Sequence, residues 1–123
     1  AVLIAELDLA ELVVLGDQSA RYHEIPRFPA VTRDIALVGN VGVQHADIEH
    51  VIRGVGEPLL AGVALFDVYR DPTGQKLQAD HRSLAYSLTY RSAERTLTAE
   101  EVHAAHGRIR EALVSQLGLG VRE

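Results

Sequence analysis

The sequence predicts an α+β fold in which two helices cover one face of a four-stranded antiparallel sheet. Three observations on the chain after residue 30 predict it. Runs typical of β-strands, bounded by turn-forming residues, occupy three stretches, and a fourth, shorter run lies at 119–122. Two further segments repeat apolar residues at intervals of three and four, the spacing of amphipathic helices. Alternation is cleanest in the third run, where one face is apolar and the other is small or polar.

The first strand is predicted at 33–38, where apolar and polar residues alternate weakly. Gly39 and Asn40 follow it with the chemistry of a turn. Before the strand, Pro26 and Pro29 push the residues that precede them toward extended backbone. The chain is therefore expected to approach the sheet as a stiff extended segment and not as a helix.

The first helix of the sheet domain is predicted at 44–55. Its apolar residues recur on one helical face: Ile48, Val51, Ile52 and Val55. Gly54 and Gly56 are expected to supply left-handed backbone that ends the helix. No residue stands out as its N-cap.

The second strand is predicted at 59–69, and Asp71-Pro72-Thr73-Gly74 follows as a turn in which the aspartate accepts local backbone hydrogen bonds. The connection at 71–81 is long, so it is expected to be a loop and not a tight hairpin. The third strand is predicted at 83–91. One face carries Leu84, Tyr86, Leu88 and Tyr90, and the other carries Ser83, Ala85, Ser87, Thr89 and Arg91. One face is therefore buried and the other is open.

The second helix begins at the capping box Thr98-Ala99-Glu100-Glu101. Its apolar stripe comprises Val102, Ala105, Ile109, Ala112, Leu113 and Leu117, and Gly118 ends it before the short last strand. Two short helices can cover only one face of four strands. The order strand, helix, strand, strand, helix, strand therefore predicts the split βαβ, ferredoxin-like arrangement with one open sheet face.

Residues 1–21 are expected to be the tail of a preceding domain and a linker, and residues 22–123 the ferredoxin-like domain. A strand is predicted over the first nine residues, and Asp8 is predicted to cap a short helical turn through Leu12. The chain starts at Ala1 and contains no methionine, which favours a piece of a longer polypeptide.

The composition excludes several kinds of site. Without cysteine there is no disulfide scaffold, thiolate zinc site, iron–sulfur cluster or cysteine nucleophile. No apolar run approaches the roughly 18 residues of a membrane span, so no membrane partner is expected. The net charge of −5 argues against non-specific phosphate binding as the main role. Residues 70–95 nevertheless carry five basic and three acidic residues, either as a solvated hairpin or as a local docking patch.

No catalytic or metal-binding residues are predicted. The six histidines have no third ligand at fixed spacing, so solvated or packed histidines are the better interpretation. The glycines at 54–56 lack the third glycine of a dinucleotide-binding loop, and Lys76, the single lysine, is outside any phosphate-loop motif. The chain by itself is therefore predicted to be non-catalytic.

The informative residues lie on the open sheet face. If Phe66 and Val68 face the helices, then Leu65, Asp67 and Tyr69 face the open side, near Ser83, Ala85 and Ser87. A tyrosine ring is a stacking platform for a base, worth roughly 1–3 kcal/mol. A carboxylate can accept from N1–H and the 2-amino group of guanine, and small residues permit close approach. An ordinary exposed tyrosine and aspartate remain the alternative interpretation of this pattern.

Four segments, in order and with matching spacing, resemble the ferredoxin-fold anticodon-binding domain that closes the bacterial phenylalanine–tRNA ligase β subunit. They are the segments 28–38 (FPAVTRDIALV), 65–70 (LFDVYR), 83–91 (SLAYSLTYR) and 95–102 (RTLTAEEV). Arg33 precedes Asp34 where the single-chain organellar enzyme usually has asparagine, which favours the bacterial β chain. Glu6-Leu7-Asp8-Leu9 is similar to the end of the family's preceding, catalytic-like domain.

The resemblance implies a cytoplasmic class II synthetase of two α and two β subunits that joins L-phenylalanine to its tRNA with ATP and Mg²⁺. Chemistry would belong to the α subunit, and this domain, with no cofactor of its own, would bind the tRNA-Phe anticodon. The family's guanine-reading aspartate, stacking tyrosine and nearby serine match Asp67, Tyr69 and Ser83. The predicted RNA-binding residues are Asp67, Tyr69, Ser83, Ala85, Ser87, Arg91, Arg95 and Arg33.

Arg91 and Arg95 are expected to contact backbone phosphate and not bases. One departure from the family precedes Ser83, where Asp80-His81-Arg82 replaces the common Gly-Lys or His-Lys. Arg82 keeps the charge, but a contact specific to lysine is in question.

Two other functions fit the fold class. A small-molecule-binding regulatory domain would pair side by side and hold its ligand at helix–strand loops. A small phosphatase-like enzyme is suggested only by Gly42-Val43-Gln44, without a placed partner arginine or asparagine. A fold by itself does not choose among them.

Overall fold

The computed structural model describes residues 2–16, 22, 24–78 and 80–122. These residues form three helices and four strands. In chain order they are α1 (Leu9–Leu15), β1 (Val31–Asn40), α2 (His45–Gly54), β2 (Leu60–Tyr69), β3 (His81–Tyr90), α3 (Ala99–Leu117) and β4 (Gly120–Arg122).

The four strands form one antiparallel sheet in the order β2-β3-β1-β4. The long strands β1 and β3 pair along their whole length, whereas β4 covers only residues 36–38 of β1. This is the predicted split βαβ topology, and the ferredoxin-like fold class is confirmed. Each helix carries the chain from a central strand to an edge strand. Helix α2 joins β1 to β2, and α3 joins β3 to β4.

One hydrophobic core lies between the sheet and the helices α2 and α3. From the sheet it takes alternate residues, among them Ile35, Leu37, Tyr86 and Tyr90, which are almost completely buried. The predicted apolar stripes of both helices face it: Ile48, Val51 and Ile52 of α2, and Val102, Ala105, Ile109 and Leu113 of α3. All these sheet residues share one face, so neither α2 nor α3 covers the opposite face.

The second strand contains a β-bulge that the alternation pattern did not predict. Leu65 lies opposite Tyr86 and Asp67 lies opposite Ala85, so Phe66 between them has no partner on β3. The prediction that Leu65 faces the open side is wrong, since Leu65 packs against the core. Phe66 was predicted to face the helices, but it is 59% exposed and lies outside the core. A bulge inserts one residue and thereby changes which residues share a face.

Local hydrogen bonds set the helix ends. At α3, Thr98 Oγ1 accepts from the Glu101 N–H (3.3 Å) and the Glu101 carboxylate accepts from the Thr98 N–H (2.9 Å), which confirms the predicted capping box. At α2, the Asp47 carboxylate accepts from the Gln44 N–H (2.9 Å) in the place of a usual N-cap. Gly56 has the predicted left-handed backbone (φ 66°), whereas the same prediction for Gly54 is wrong.

The N-terminal segment is exposed throughout residues 2–16. Asp8 caps α1 by accepting from the N–H groups of Ala10 and Glu11, as predicted, and the helix continues beyond Leu12 to Leu15. The predicted strand is absent from residues 2–8, because a strand needs a neighbour with which to pair. Residues 17–21, which hold the predicted domain boundary, lie outside the described residues.

Candidate nucleic-acid interface

The bulge in β2 brings four candidate residues to one corner of the open face. The register places Asp67 opposite Ala85 and Tyr69 opposite Ser83, and residues directly opposite each other project to the same side of a sheet. Tyr69 is 41% exposed and Asp67 is exposed, whereas Ser83 and Ala85 are half-buried between neighbouring strands. We call these four residues the Asp67 corner. It presents an aromatic ring and a carboxylate above a floor of small side chains.

Small side chains continue from this corner across β1. Ala36 lies opposite Ala85, and Val38 lies opposite Ser83. On the far side of β1, Arg122 of β4 lies opposite Ala36 and is exposed. With strands about 4.8 Å apart, the Arg122 backbone lies about 14 Å from that of Asp67 in the same cross-strand row.

The sequence analysis missed Arg122 as a candidate. The signal was nevertheless present, since the split βαβ order places the last strand beside the first and alternation assigns a face to each of its residues. An exposed arginine at this position gives the open face a cationic edge opposite its aspartate.

A second carboxylate occupies the middle of the open face. Ser87 lies opposite Asp34, and the Ser87 hydroxyl donates a 2.8 Å hydrogen bond to the Asp34 carboxylate. Asp34 was not among the predicted site residues, although it lies in the same segment as Arg33. The Ser87 hydroxyl therefore donates its proton within the sheet. The Ser83 hydroxyl, by contrast, makes no hydrogen bond to another described residue.

The loop between β2 and β3 is organised around the Asp71 side chain. The Asp71 carboxylate, 7% exposed, accepts from the Thr73 N–H (2.9 Å), the Thr73 hydroxyl (2.6 Å), the Lys76 N–H (2.5 Å) and the Leu77 N–H (3.2 Å). These bonds, the Thr73 hydroxyl first, hold the pKa of Asp71 well below its ordinary value. Gly74 takes the left-handed backbone (φ 66°) that the turn requires. The loop therefore begins in a fixed conformation two residues after Tyr69.

The other end of this loop is tied to β1 by Asp80. The Asp80 carboxylate accepts from the Asn40 side chain (3.1 Å) and lies 2.7 Å from His81 Nδ1, and the hydrogen bond to His81 lowers the pKa of Asp80. Arg82 lies opposite Gly39 and donates to the Val43 carbonyl (2.6 Å). Arg82 therefore braces the chain before α2.

The three remaining predicted arginines lie away from the Asp67 corner. Arg33 lies opposite Leu88, on the helical side of the sheet, and so does not share a face with Asp67. Arg95 donates to both oxygens of the Glu101 carboxylate, and this pairing lowers the pKa of Glu101 to about 2. Arg91 follows the last residue of β3 and is half-buried. Neither Arg33 nor Arg95 thus presents a free guanidinium on the open face.

Among the described residues, His45 and His106 contact the buried tyrosines of β3. His45 Nδ1 lies 2.9 Å from the Tyr86 hydroxyl, and His106 Nδ1 lies 3.1 Å from the Tyr90 hydroxyl. Burial raises the pKa of Tyr86 to about 12. Within the described ranges, no three His, Asp or Glu side chains converge as metal ligands would.

An antiparallel sheet with helices on one face and an aromatic ring, a carboxylate and small residues on the other defines a sheet-face binding module of the ferredoxin-like class. The family model described as "Ferredoxin-fold anticodon binding domain" matches residues 26–122, and the chain belongs to that family.

Similar curated proteins carry the name "Phenylalanine--tRNA ligase beta subunit". That of Symbiobacterium thermophilum is 47% identical over 112 residues, which cover 91% of this chain and 12% of that protein. That of Geobacillus kaustophilus is 44% identical over 119 residues, covering 97% and 14%. That of Moorella thermoacetica is 44% identical over 118 residues, covering 96% and 14%. The chain thus spans only about one-seventh of the length of these relatives. No helix among the described residues is both long and apolar enough to cross a membrane.

Proposed function

We propose that the open sheet face of this domain reads the tRNA-Phe anticodon as part of the β subunit of a bacterial phenylalanine–tRNA ligase. The observation that carries the proposal is the register of β2 and β3, which puts Asp67, Tyr69, Ser83 and Ala85 on one exposed face. Family membership and the names of the relatives support it. A regulatory domain that binds small molecules is not favoured, since the ring and the carboxylate lie on the sheet face and not at helix–strand loops.

Each residue of the Asp67 corner has a distinct role in this proposal. The Tyr69 ring stacks on an unpaired base, a contact that any base can make. The Asp67 carboxylate only accepts hydrogen bonds, so it selects a base edge with two adjacent donors, which guanine has in N1–H and its 2-amino group. Ala85 lies opposite Asp67 and keeps the floor low enough for the base to approach the sheet.

A cation at the edge of the face contacts the RNA backbone in this proposal. Arg122 lies at the far edge of the row that contains Asp67, where it would meet a phosphate of the bound RNA. Arg33 lies on the helical side and Arg95 already holds Glu101, so neither is part of the proposed interface.

The chemistry of the whole enzyme belongs to other parts of the assembly. The ligase would attach L-phenylalanine to tRNA-Phe with ATP and Mg²⁺, as a cytoplasmic assembly of two α and two β subunits. By the family resemblance, ATP and Mg²⁺ would bind at the catalytic subunit. This domain would contribute specificity by holding the anticodon while the acceptor end reaches the catalytic subunit. Other tRNA contacts in the assembly would raise the effective concentration of the anticodon at this face.

The test is a titration of the 123-residue chain with the anticodon stem-loop of tRNA-Phe, followed by amide chemical shifts. We expect shifts on the open face around Asp67, Tyr69 and Ser83. A stem-loop with adenine in place of the first anticodon base is expected to bind more weakly. Glu100→Gln, which removes an exposed carboxylate from the start of α3, is the control and should leave the titration unchanged. Shifts confined to helix–loop ends, or no binding at all, would contradict the proposal.

A further inference from the structure

A cavity lies at the end of the sheet opposite to the Asp67 corner. It has a volume of about 460 Å³ and lies between the extended segment before β1 and the ends of β2 and β3. Its polar lining comes from Glu24 and Arg27 on one wall and from Arg91 and Ser92 on the other. We call this cavity the Arg91 pocket.

Arg91 is half-buried, its Nε is fully buried, and that nitrogen has no hydrogen-bond partner among the described residues. Arg82 shares an unpartnered Nε, but its guanidinium already donates to the Val43 carbonyl. By contrast, Arg53, Arg95 and Arg108 each hold a carboxylate, from Glu49, Glu101 and Glu57 respectively. A guanidinium that is partly removed from water without a partner costs free energy, so a bound anion at this position would restore the lost hydrogen bonds.

The other polar groups of the pocket suit an anion with several acceptor oxygens. The Ser92 oxygen accepts from the Glu94 N–H (3.1 Å), which leaves the Ser92 hydroxyl proton available for donation. Arg27 pairs with Glu24 at 3.2 Å, but both side chains are largely exposed, and such a pair contributes little. Arg27 can therefore turn from Glu24 to a stronger acceptor. Planar guanidinium groups and a hydroxyl together match the oxygens of a phosphate.

The position of the pocket relates it to the Asp67 corner. The alternation of β3 gives Arg91 the same side of the strand as Ser83, Ala85 and Ser87. The eight residue steps from Ser83 to Arg91 span about 26 Å of extended chain. A nucleic-acid strand that leaves the Asp67 corner along β3 would therefore pass the pocket.

We propose that the Arg91 pocket binds a backbone phosphate of the same RNA whose anticodon base the Asp67 corner holds. The inference rests on the proposed function and adds a second, sequence-independent contact to it. The footprint then extends along the whole of β3 into the anticodon stem. Arg91 contributes affinity and salt dependence, whereas Asp67 contributes base preference.

The experiment compares Arg91→Gln and Arg91→Lys with the unchanged chain in binding the tRNA-Phe anticodon stem-loop at several salt concentrations. Arg91→Gln should weaken binding about 10-fold, as expected for the loss of charge-assisted hydrogen bonds. It should do so equally for stem-loops with guanine or adenine at the first anticodon position. The slope of log affinity against log salt should fall by about one phosphate contact. Arg91→Lys should keep the slope and recover part of the affinity, because it keeps the charge without the planar fork.

Two controls locate the effect. Arg53→Gln removes one positive charge from α2 on the covered side of the sheet and should change neither affinity nor slope. A trinucleotide with the anticodon sequence is too short to reach the pocket, so its binding should depend on Asp67 and not on Arg91. Amide spectra of each variant establish that it is folded, and Arg91→Lys supplies a second variant should Arg91→Gln fail to fold.

Different outcomes overturn different claims. An unchanged salt slope in Arg91→Gln, or an altered base preference, refutes the phosphate pocket while the Asp67 corner stands. Inorganic phosphate is the second probe. If it shifts the Ser92 and Ala93 amides while the stem-loop binds independently of Arg91, the pocket takes small anions and the RNA assignment is wrong. If the unchanged chain binds no stem-loop, both proposals fail together.

Discussion

Tyr69 of β2 and Ser83 of β3 lie directly opposite each other, although thirteen residues separate them along the chain. The loop that joins them starts with the Asp71 hydrogen bonds and ends with the Asp80 contacts to β1. Carboxylates fix both ends of this loop, so the proposed stacking ring lies next to an ordered turn. Order at the ends of the loop is expected to reduce the entropy lost when RNA binds.

The Tyr69 ring is predicted to supply affinity without selectivity. Tyr69→Ala should weaken binding of the tRNA-Phe anticodon stem-loop by roughly 1–3 kcal/mol, because base stacking is lost. The loss should be the same for every base at the first anticodon position. Tyr69→Phe, which keeps the ring, serves as the matched control and should bind nearly as well. Titrations monitored by fluorescence anisotropy give both values, and a loss restricted to guanine-bearing RNA would contradict the assignment.

The Asp67 carboxylate is predicted to supply selectivity. Asp67→Asn places an amide donor against a guanine donor, so the preference for guanine over adenine should fall about 10-fold. Affinity for the adenine variant should change little. The ratio of the two dissociation constants is the measurement. Equal weakening of both RNAs would show that Asp67 acts on something other than base identity.

Arg122 is predicted to contact a phosphate at the β4 edge of the open face. Arg122→Gln should weaken all stem-loops alike and lower the salt slope by about one contact. Arg110→Gln, in the middle of α3, removes the same charge elsewhere and is the comparison. A salt slope that is the same in Arg122→Gln and in the unchanged chain would remove Arg122 from the interface.

Asp71 is predicted to stabilise the β2–β3 loop in a pH-dependent way. Its pKa in the folded chain is below the ordinary 3.8, so its contribution is present above pH 3.8 and is lost as the pH falls further. Asp71→Asn should therefore unfold at a lower temperature than the unchanged chain at pH 7. The difference between the two melting temperatures should shrink below pH 3.8. A constant difference from pH 7 to pH 2 in thermal melts would show that the carboxylate charge is not responsible.

Loss of loop order in Asp71→Asn should also weaken RNA binding at the Asp67 corner. RNA affinity is expected to fall while the guanine preference, which depends on Asp67, remains. Glu100→Gln again provides a carboxylate substitution remote from the loop. A variant that melts early but binds RNA normally would separate the stability of the loop from its proposed role.

Regular patterns in the sequence were sufficient for most of the fold. The clean alternation of β3 and the capping box of α3 predict their elements because each depends on residues that are close in sequence. The predicted strand at the N-terminus is wrong for the complementary reason. Its apolar residues match a strand, but pairing depends on a neighbour, and among the described residues it has none.

The candidate site was less predictable than the fold. Asp67 and Tyr69 were assigned to the open face through strict alternation from Leu65, and that premise is wrong at Leu65 itself. Arg122 was missed because a three-residue strand shows almost no alternation by itself, and only the topology, which places β4 beside β1, assigns Arg122 a face. The bond between Ser87 and Asp34 joins residues that are distant in sequence, so only the register of β1 and β3 reveals it.

The bulge at Phe66 resets the alternation of β2. If Phe66 instead paired with Ala85, Asp67 would lie opposite Leu84 on the face that the helices cover, and the open face would lose its carboxylate. The bulge therefore matters more than the identity of the residue in it, since the exposed ring of Phe66 packs in no core. A transfer of the segment from Leu65 to Tyr69 to another sheet must keep the bulge, because Leu65 and Asp67 would otherwise share a face. Strict alternation counted from the buried Leu65 would match the right letters and assign Asp67 to the wrong side.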